Sequence, residues 1–121
     1  MYLLDSNIII YYSEEKYPCL DAIFQEETLY ASEITRLEVL GYHQIGDLKP
    51  LFEKLFTKFN LIPISKITLD TAISLKQQKR MSLGDSIIAA TALQNDLVVV
   101  TRNVDDFSWI GGLAVYNPFD D

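Results

Sequence analysis

The sequence of 121 residues has few of the residues that several common kinds of site require. Its one cysteine, Cys19, and one histidine, His43, exclude an internal disulfide and a cysteine–histidine zinc site. No Ser–His–Asp arrangement is evident, and the pattern around His43 favours a helix-surface residue over a catalytic base. The five glycines fall at apparent breaks or helix contacts and form no phosphate-binding loop. The lone cysteine suits a reducing cytoplasm, where we place the protein.

Positive charge and long apolar runs are also scarce. The chain has 10 lysines and arginines against 17 acids, which gives a formal net charge of −7. Proteins that bind nucleic acid broadly through phosphates are usually basic, so the sequence argues against a general binder. It does not exclude a local site where a bound metal reverses the sign. The apolar N-terminal run has no basic leader and is interrupted by Asp5 and Asn7, so we expect neither a signal peptide nor a membrane span.

Short apolar segments alternate with helical patterns, which predicts a single α/β domain over residues 1–121 with a mostly parallel sheet. The predicted strands are Tyr2–Leu4, Thr28–Ala31, Leu61–Ile64, Leu97–Thr101 and Leu113–Tyr116. The first predicted helix begins after Asp5. The others span Tyr17–Glu27, Ser32 to about Ile45, Leu48–Phe59, Thr68–Arg80 and Ser82–Asn95. Pro63 indicates an edge strand. The helix at Leu48–Phe59 has more apolar residues than one core-facing stripe needs, which favours a partner surface there.

Asp5 directly follows the first predicted strand, with Ser6 and Asn7 beside it. A continuous apolar run such as Tyr2–Leu4 is typical of a parallel strand that is covered on both faces. Ligands of open parallel sheets bind outside the carboxyl ends of the strands, which is where Asp5 would stand. The structural alternative is that Asp5 or Ser6 only caps the helix that follows.

Two more acids lie on the apolar sides of predicted helices. Glu38 shares a helix face with Ile34 and Gly41, although it could be a border residue paired with Arg36 or a lysine. Asp85 begins the apolar stripe of its helix. It also stands three residues after Ser82, which is the spacing of a capping box.

A third acidic group follows the strand at Leu97–Thr101. Asn103, Asp105 and Asp106 cluster where that strand ends, and Asn103 could instead be an N-cap with Asp106 as its partner. Each acid of the chain thus has a structural explanation of its own. Together they converge on one edge of the predicted sheet, where carboxylates repel one another unless a cation neutralises them. Hard oxygen ligands suit Mg²⁺ or Mn²⁺, which can activate water for phosphoryl displacement.

Five segments of the sequence resemble the PIN-domain nucleases, and among them the VapC-like toxins of toxin–antitoxin pairs. The resemblance spans essentially the whole chain, and the matching segments read LLDSN, TRLEVLGY, LGDSIIAATAL, VVVTRNVDDF and AVYNPF. The resemblance implies a three-layer α/β/α fold with a roughly five-stranded, mostly parallel sheet. It also implies metal-dependent cleavage of RNA.

Carried over by position, the resemblance assigns metal binding to Asp5, Glu38 and Asp85. Ser6 replaces a threonine that is frequent in the family and keeps a hydroxyl at that position. Asn103 occupies the place of a fourth aspartate in many members, which leaves open whether Asn103, Asp106 or water completes the site.

The resulting hypothesis is an endoribonuclease toxin that cleaves phosphodiesters with a metal-activated water. Arg102, Lys79 and Arg80 are candidate contacts to the RNA backbone, although each could simply be solvated. We expect a cognate antitoxin, RNA and a second copy of the chain as partners. Two rivals remain: an aspartyl-phosphate phosphatase or receiver-like domain that uses Asp5, and a non-catalytic PIN-like interaction module. Asn7 weakens the phosphatase, which usually has a second aspartate at that place.

Overall fold

A computed structural model describes residues 1–120 and shows, within them, one sheet of five parallel strands. The strands are β1 (Tyr2–Leu4), β2 (Leu29–Ser32), β3 (Asn60–Ile62), β4 (Val98–Val100) and β5 (Val115–Tyr116). The α-helices are α1 (Ser6–Ser13), α2 (Asp21–Phe24), α3 (Glu33–Leu40), α4 (Lys49–Phe56), α5 (Lys66–Gln78) and α6 (Leu83–Asn95). Short 3₁₀ segments lie at Pro18–Leu20, Gly46–Leu48 and Val104–Asp106.

The sheet lies between two layers of helices. Successive residues of a strand face opposite sides, so Leu3 and Leu4 of β1 enter different cores. Leu3 packs in the core that includes residues of α5 and α6, and Leu4 in the core that includes residues of α1, α2 and α4. Helix α3 contacts α1 and α4 on one side and α6 on the other. The predicted α/β class with an α/β/α arrangement is confirmed, and every strand pair is parallel.

The strand order β3-β2-β1-β4-β5 defines where a ligand can bind. The chain builds the sheet in one direction from β1 to β3 and then returns to place β4 on the free side of β1. The switch point, at which ligands of doubly wound sheets bind, therefore lies between the carboxyl ends of β1 and β4. Asp5 follows β1 there, and its backbone N–H donates to Val100 O at the end of β4 over 3.0 Å. Receiver domains have the order 2-1-3-4-5, so the receiver-like alternative is not supported.

Several predicted boundaries were wrong. Helix α3 ends at Leu40 rather than near Ile45, because Gly41 forms its C-cap and donates to Leu37 O. The predicted helix at Tyr17–Glu27 is instead a 3₁₀ turn followed by the single turn of α2.

The predicted apolar excess around α4 is mostly core. Phe52, Leu55, Phe56 and Phe59 are buried, whereas Leu51 is 41 % exposed. This helix therefore gives little support to the predicted partner surface. None of the helices described over residues 1–120 is long and apolar enough to cross a membrane.

Candidate active site

Asp5 is a buried carboxylate at the switch point of the sheet, with 5 % of its surface exposed. Its Oδ2 atom accepts a hydrogen bond of 2.8 Å from Thr101 Oγ1 at the end of β4. The same hydroxyl accepts from the backbone N–H of Asn103 over 3.0 Å, so its own proton is directed at Asp5. The Asp5 side chain makes no capping bond to α1. Asp5 occupies the N-cap position of α1, but its side chain binds Thr101, so the interpretation that Asp5 only caps the helix is not supported.

Glu38 is held on the same edge from α3. Its Oε1 atom accepts a 2.7 Å hydrogen bond from Ser6 Oγ at the start of α1. Its Oε2 atom lies so close to Gly84 of α6 that a Cβ atom there would approach it to 2.6 Å. Arg36 binds Glu33 at 2.8 Å, so the interpretation of Glu38 as its surface partner is wrong. Glu38 instead joins α1, α3 and α6 at the mouth of the site.

Asp85 stands in the first turn of α6, one residue after Gly84. Ser82 Oγ accepts from the Asp85 N–H over 3.1 Å, so the predicted N-cap at Ser82 is confirmed. The Asp85 side chain is half-buried. Burial raises the pKa of its carboxyl, and the negative charges of Asp106 and Glu38 raise it further. Asp85 can therefore take part in the helix cap and still lie close to the other carboxylates.

The carboxylates of this edge perturb one another. Burial raises the pKa of Asp5 to about 6, the charges of Asp85 and Glu38 add to the rise, and the Thr101 hydrogen bond opposes it. The ion pairs among residues 1–120 are Arg36–Glu33 and Lys66–Asp70. No lysine or arginine therefore neutralises the cluster of Asp5, Glu38, Asp85 and Asp106, which we call the acidic edge.

The acidic edge fits a small divalent cation in its chemistry, because it offers carboxylate oxygens and the Ser6 hydroxyl. Over the described chain, no three His, Cys, Asp or Glu side chains are close enough to hold one ion together. Mg²⁺ typically keeps several waters and takes one or two carboxylates directly, so two direct ligands and a second layer of acids satisfy it.

The remaining predicted residues lie on the protein surface. Asn7, Asn103 and Asp106 are exposed, and Asn103 makes no side-chain cap bond to the 3₁₀ segment after it. Its contribution to the site is its backbone N–H, which orients Thr101. Lys79 and Arg80 are exposed and follow the end of α5, with Lys79 Nζ 5.5 Å from the ring centre of Trp109.

Sequence reasoning missed Thr101 and the aromatic surroundings of Arg102. The Arg102 guanidinium lies over Phe119, Tyr11 and Tyr17 rather than over the acidic edge. A threonine at the end of the most apolar strand was the available signal, but it gains meaning only once β4 is known to pair with β1.

Fold and side-chain geometry together define an α/β protein with a cluster of carboxylates at the switch point of a parallel sheet. The sequence profile described as the PIN domain matches residues 2–113. The chain therefore belongs to the PIN domain family. No curated protein shows significant similarity to it.

Solved structures extend this relationship. The chain is similar to a toxin–antitoxin complex from Klebsiella pneumoniae, with 28 % identity, 100 % of each chain covered and a TM-score of 0.84. FitAcB from Neisseria gonorrhoeae matches with 26 % identity, 100 % of each chain and a TM-score of 0.77. DNA-bound VapBC from Salmonella typhimurium shares the fold, with 22 % identity, 97 % of each chain and a TM-score of 0.82. The resemblance to VapC-like toxins is thus confirmed.

Proposed function

We propose that the protein is a Mg²⁺- or Mn²⁺-dependent endoribonuclease and the toxin of a toxin–antitoxin pair. The observation that carries this proposal is the buried Asp5 carboxylate, whose pKa is raised to about 6 within an acidic edge that no lysine or arginine neutralises. Such an arrangement costs stability unless a cation binds it. Its place at the switch point of a PIN domain supports a catalytic use.

Asp5, Glu38 and Asp85 would hold the cation, directly or through water. When bound, a divalent cation lowers the pKa of water and stabilises the charge that develops on a phosphodiester. Thr101 fixes the direction of the Asp5 carboxylate, and Ser6 does the same for Glu38. Asn103 would act through its backbone N–H, which orients Thr101. Asp106 would act through its negative charge near Asp85.

Cleavage of a defined RNA by the purified protein tests this proposal. We expect cleavage with Mg²⁺ or Mn²⁺ and none with a chelator. Asp5→Asn and Glu38→Gln should each lower the rate by ~100-fold or more, because even outer-layer changes at metal sites cost 10- to 100-fold. Asp47→Asn, an exposed carboxylate in the 3₁₀ segment Gly46–Leu48, is the matched control. Metal-independent cleavage, or equal rates in all variants, would contradict the proposal.

The proposed inhibitor is an antitoxin segment with apolar anchors and at least one arginine or lysine. Leu37 of α3 is 66 % exposed and directly precedes Glu38 in the sequence. Leu83 of α6 is 64 % exposed and directly precedes Gly84. Exposed apolar side chains beside unneutralised carboxylates favour a partner that combines both contacts. Inhibition that survives replacement of every basic residue in the bound segment would contradict this part of the proposal.

A homodimer remains part of the proposal, on different residues from those first considered. Exposed apolar side chains on α5 support it, with Ile67 at 69 % and Ile73 at 55 % exposure. Light scattering at increasing concentration tests it. A monomer at every concentration would exclude self-association.

A further inference from the structure

Three aromatic rings lie around the guanidinium of Arg102, whereas Lys16 and Lys79 each lie over a single ring. The Arg102 Cζ atom lies 4.3 Å from the ring centre of Phe119, 5.2 Å from that of Tyr11 and 5.9 Å from that of Tyr17. These distances are within the range of cation–π attraction. The guanidinium therefore has a defined position on a surface of three rings, which we call the aromatic cup.

The aromatic cup is a rigid support. Phe119 meets Tyr17 at 5.2 Å and Tyr11 at 5.5 Å between ring centres, and Tyr11 meets Tyr17 at 5.4 Å. The interplanar angles of 69° to 79° are those of edge-to-face contacts, the favoured geometry for aromatic pairs. Each ring contacts the other two, so the three rings support one another around the guanidinium.

Within residues 1–120, Arg102 makes no ion pair. The residue is exposed, and the ion pairs of residues 1–120 involve Arg36 and Lys66 instead. A guanidinium with free N–H donors and a free outer face is available to a ligand.

The position of Arg102 relates it to the acidic edge. Its backbone follows Thr101, whose hydroxyl binds Asp5, whereas its guanidinium extends over Tyr11 of α1. Tyr11 is six residues beyond Asp5, which corresponds to about 9 Å along the helix axis. That displacement places the guanidinium beside the acidic edge rather than at the group that the carboxylates would hold.

We propose that Arg102, supported by the aromatic cup, is a subsite that stacks an unpaired base next to the scissile phosphate of the RNA substrate. This inference rests on the proposed nuclease function. Phe119 supports the guanidinium from within the protein, and the solvent side is open to a base. Proteins that recognise single-stranded RNA stack unpaired bases on aromatic rings and on guanidinium planes. The positive charge also offsets repulsion between the RNA and a protein with a net charge of −7.

A single-stranded oligoribonucleotide that carries 2-aminopurine at one position at a time tests the subsite. Stacking quenches the fluorescence of this base, so we expect strong quenching at one position adjacent to the cleavage site. All proteins in the binding assay carry Asp85→Asn so that the RNA stays intact, with Mg²⁺ present. Arg102→Ala should abolish the quenching and weaken binding by about 10-fold, as expected for loss of one stacked base.

Arg102→Lys separates stacking from charge, because it keeps the charge and removes the plane. We expect it to lose the quenching as Arg102→Ala does. Phe119→Leu, which leaves Arg102 in place without its stacked support, should reduce the quenching. The matched control is Arg36→Lys, at an exposed arginine that is paired with Glu33, and should behave like the parent protein. Melting curves of each variant verify folding.

Two results would overturn the inference. Quenching and affinity that survive Arg102→Lys would show that charge alone acts, and a duplex bound as well as the single strand would exclude a stacked base. The proposed function is tested separately by cleavage with the otherwise unaltered protein. Cleavage without a quenched position refutes the subsite alone, whereas a quenched position without cleavage refutes the nuclease and retains the base-binding site.

Discussion

Replacing Asp5 with asparagine should stabilise the metal-free protein at neutral pH. Burial raises the pKa of the Asp5 carboxyl to about 6 in the folded protein, well above the usual value of about 4 for an aspartate. A raised pKa means that the folded state holds the proton more tightly, so this group stabilises the fold below about pH 4 and loses that contribution as the pH rises through 6. A rise of this size corresponds to at most about 3 kcal/mol of folding free energy. Asparagine has no charge to lose, and its amide oxygen can still accept from Thr101.

Urea unfolding of both proteins in chelator, at intervals from pH 4.5 to 8, measures this difference. We expect the smallest difference in the free energy of unfolding at pH 4.5 and an advantage of about 1 to 3 kcal/mol for Asp5→Asn at pH 8. Added Mg²⁺ should reduce the advantage, because a ligand that binds only the folded state stabilises the protein that binds it better. Asp47→Asn should show no such trend. A difference between wild type and Asp5→Asn that does not change with pH would refute the reasoning.

Three further substitutions test individual contacts. Gly84→Ala should leave the free energy of unfolding unchanged or raise it by up to about 1 kcal/mol, since alanine favours helix. It should nevertheless lower the rate of RNA cleavage, because the new Cβ displaces Glu38. Unaltered cleavage would contradict this. Thr35→Val should raise the free energy of unfolding by about 1 kcal/mol, because the Thr35 hydroxyl is buried without a partner, and a loss of stability would contradict this. Thr101→Val should slow cleavage by about 10-fold, because it releases the Asp5 carboxylate, whereas Thr101→Ser should stay close to wild type. Equal cleavage rates in Thr101→Val and wild type would exclude a positioning role.

The features that could be predicted from the sequence are those that local patterns encode. The spacing between Ser82 and Asp85 predicted a capping residue at Ser82, and Ser82 accepts the expected backbone hydrogen bond. The apolar runs of β1 and β4 gave the strands, and the acids at their ends gave Asp5 and its neighbours. The convergence of Asp5, Glu38 and Asp85 followed from the rule that parallel strands share one ligand-binding edge.

The features that could not be predicted depend on contacts between distant parts of the chain. Thr101 and Asp5 are 96 residues apart, and their hydrogen bond exists because β4 pairs with β1. The same adjacency brings Arg102 onto rings from α1 and from the chain end, which no local pattern encodes. The end of α3 was misjudged because Gly41 was treated as part of a helix face, whereas it terminates the helix.

Anomalous diffraction from a crystal soaked in Mn²⁺ tests the central claim most directly, because it shows where the cation binds without reference to activity. We predict one or two peaks between the carboxyl ends of β1 and β4, with Asp5 and at least one of Glu38 and Asp85 as direct or water-bridged ligands. The peaks should disappear in Asp5→Asn and persist in Asp47→Asn. Mn²⁺ peaks that lie only elsewhere, or a site that survives Asp5→Asn unchanged, would contradict the assignment of the acidic edge as the metal site.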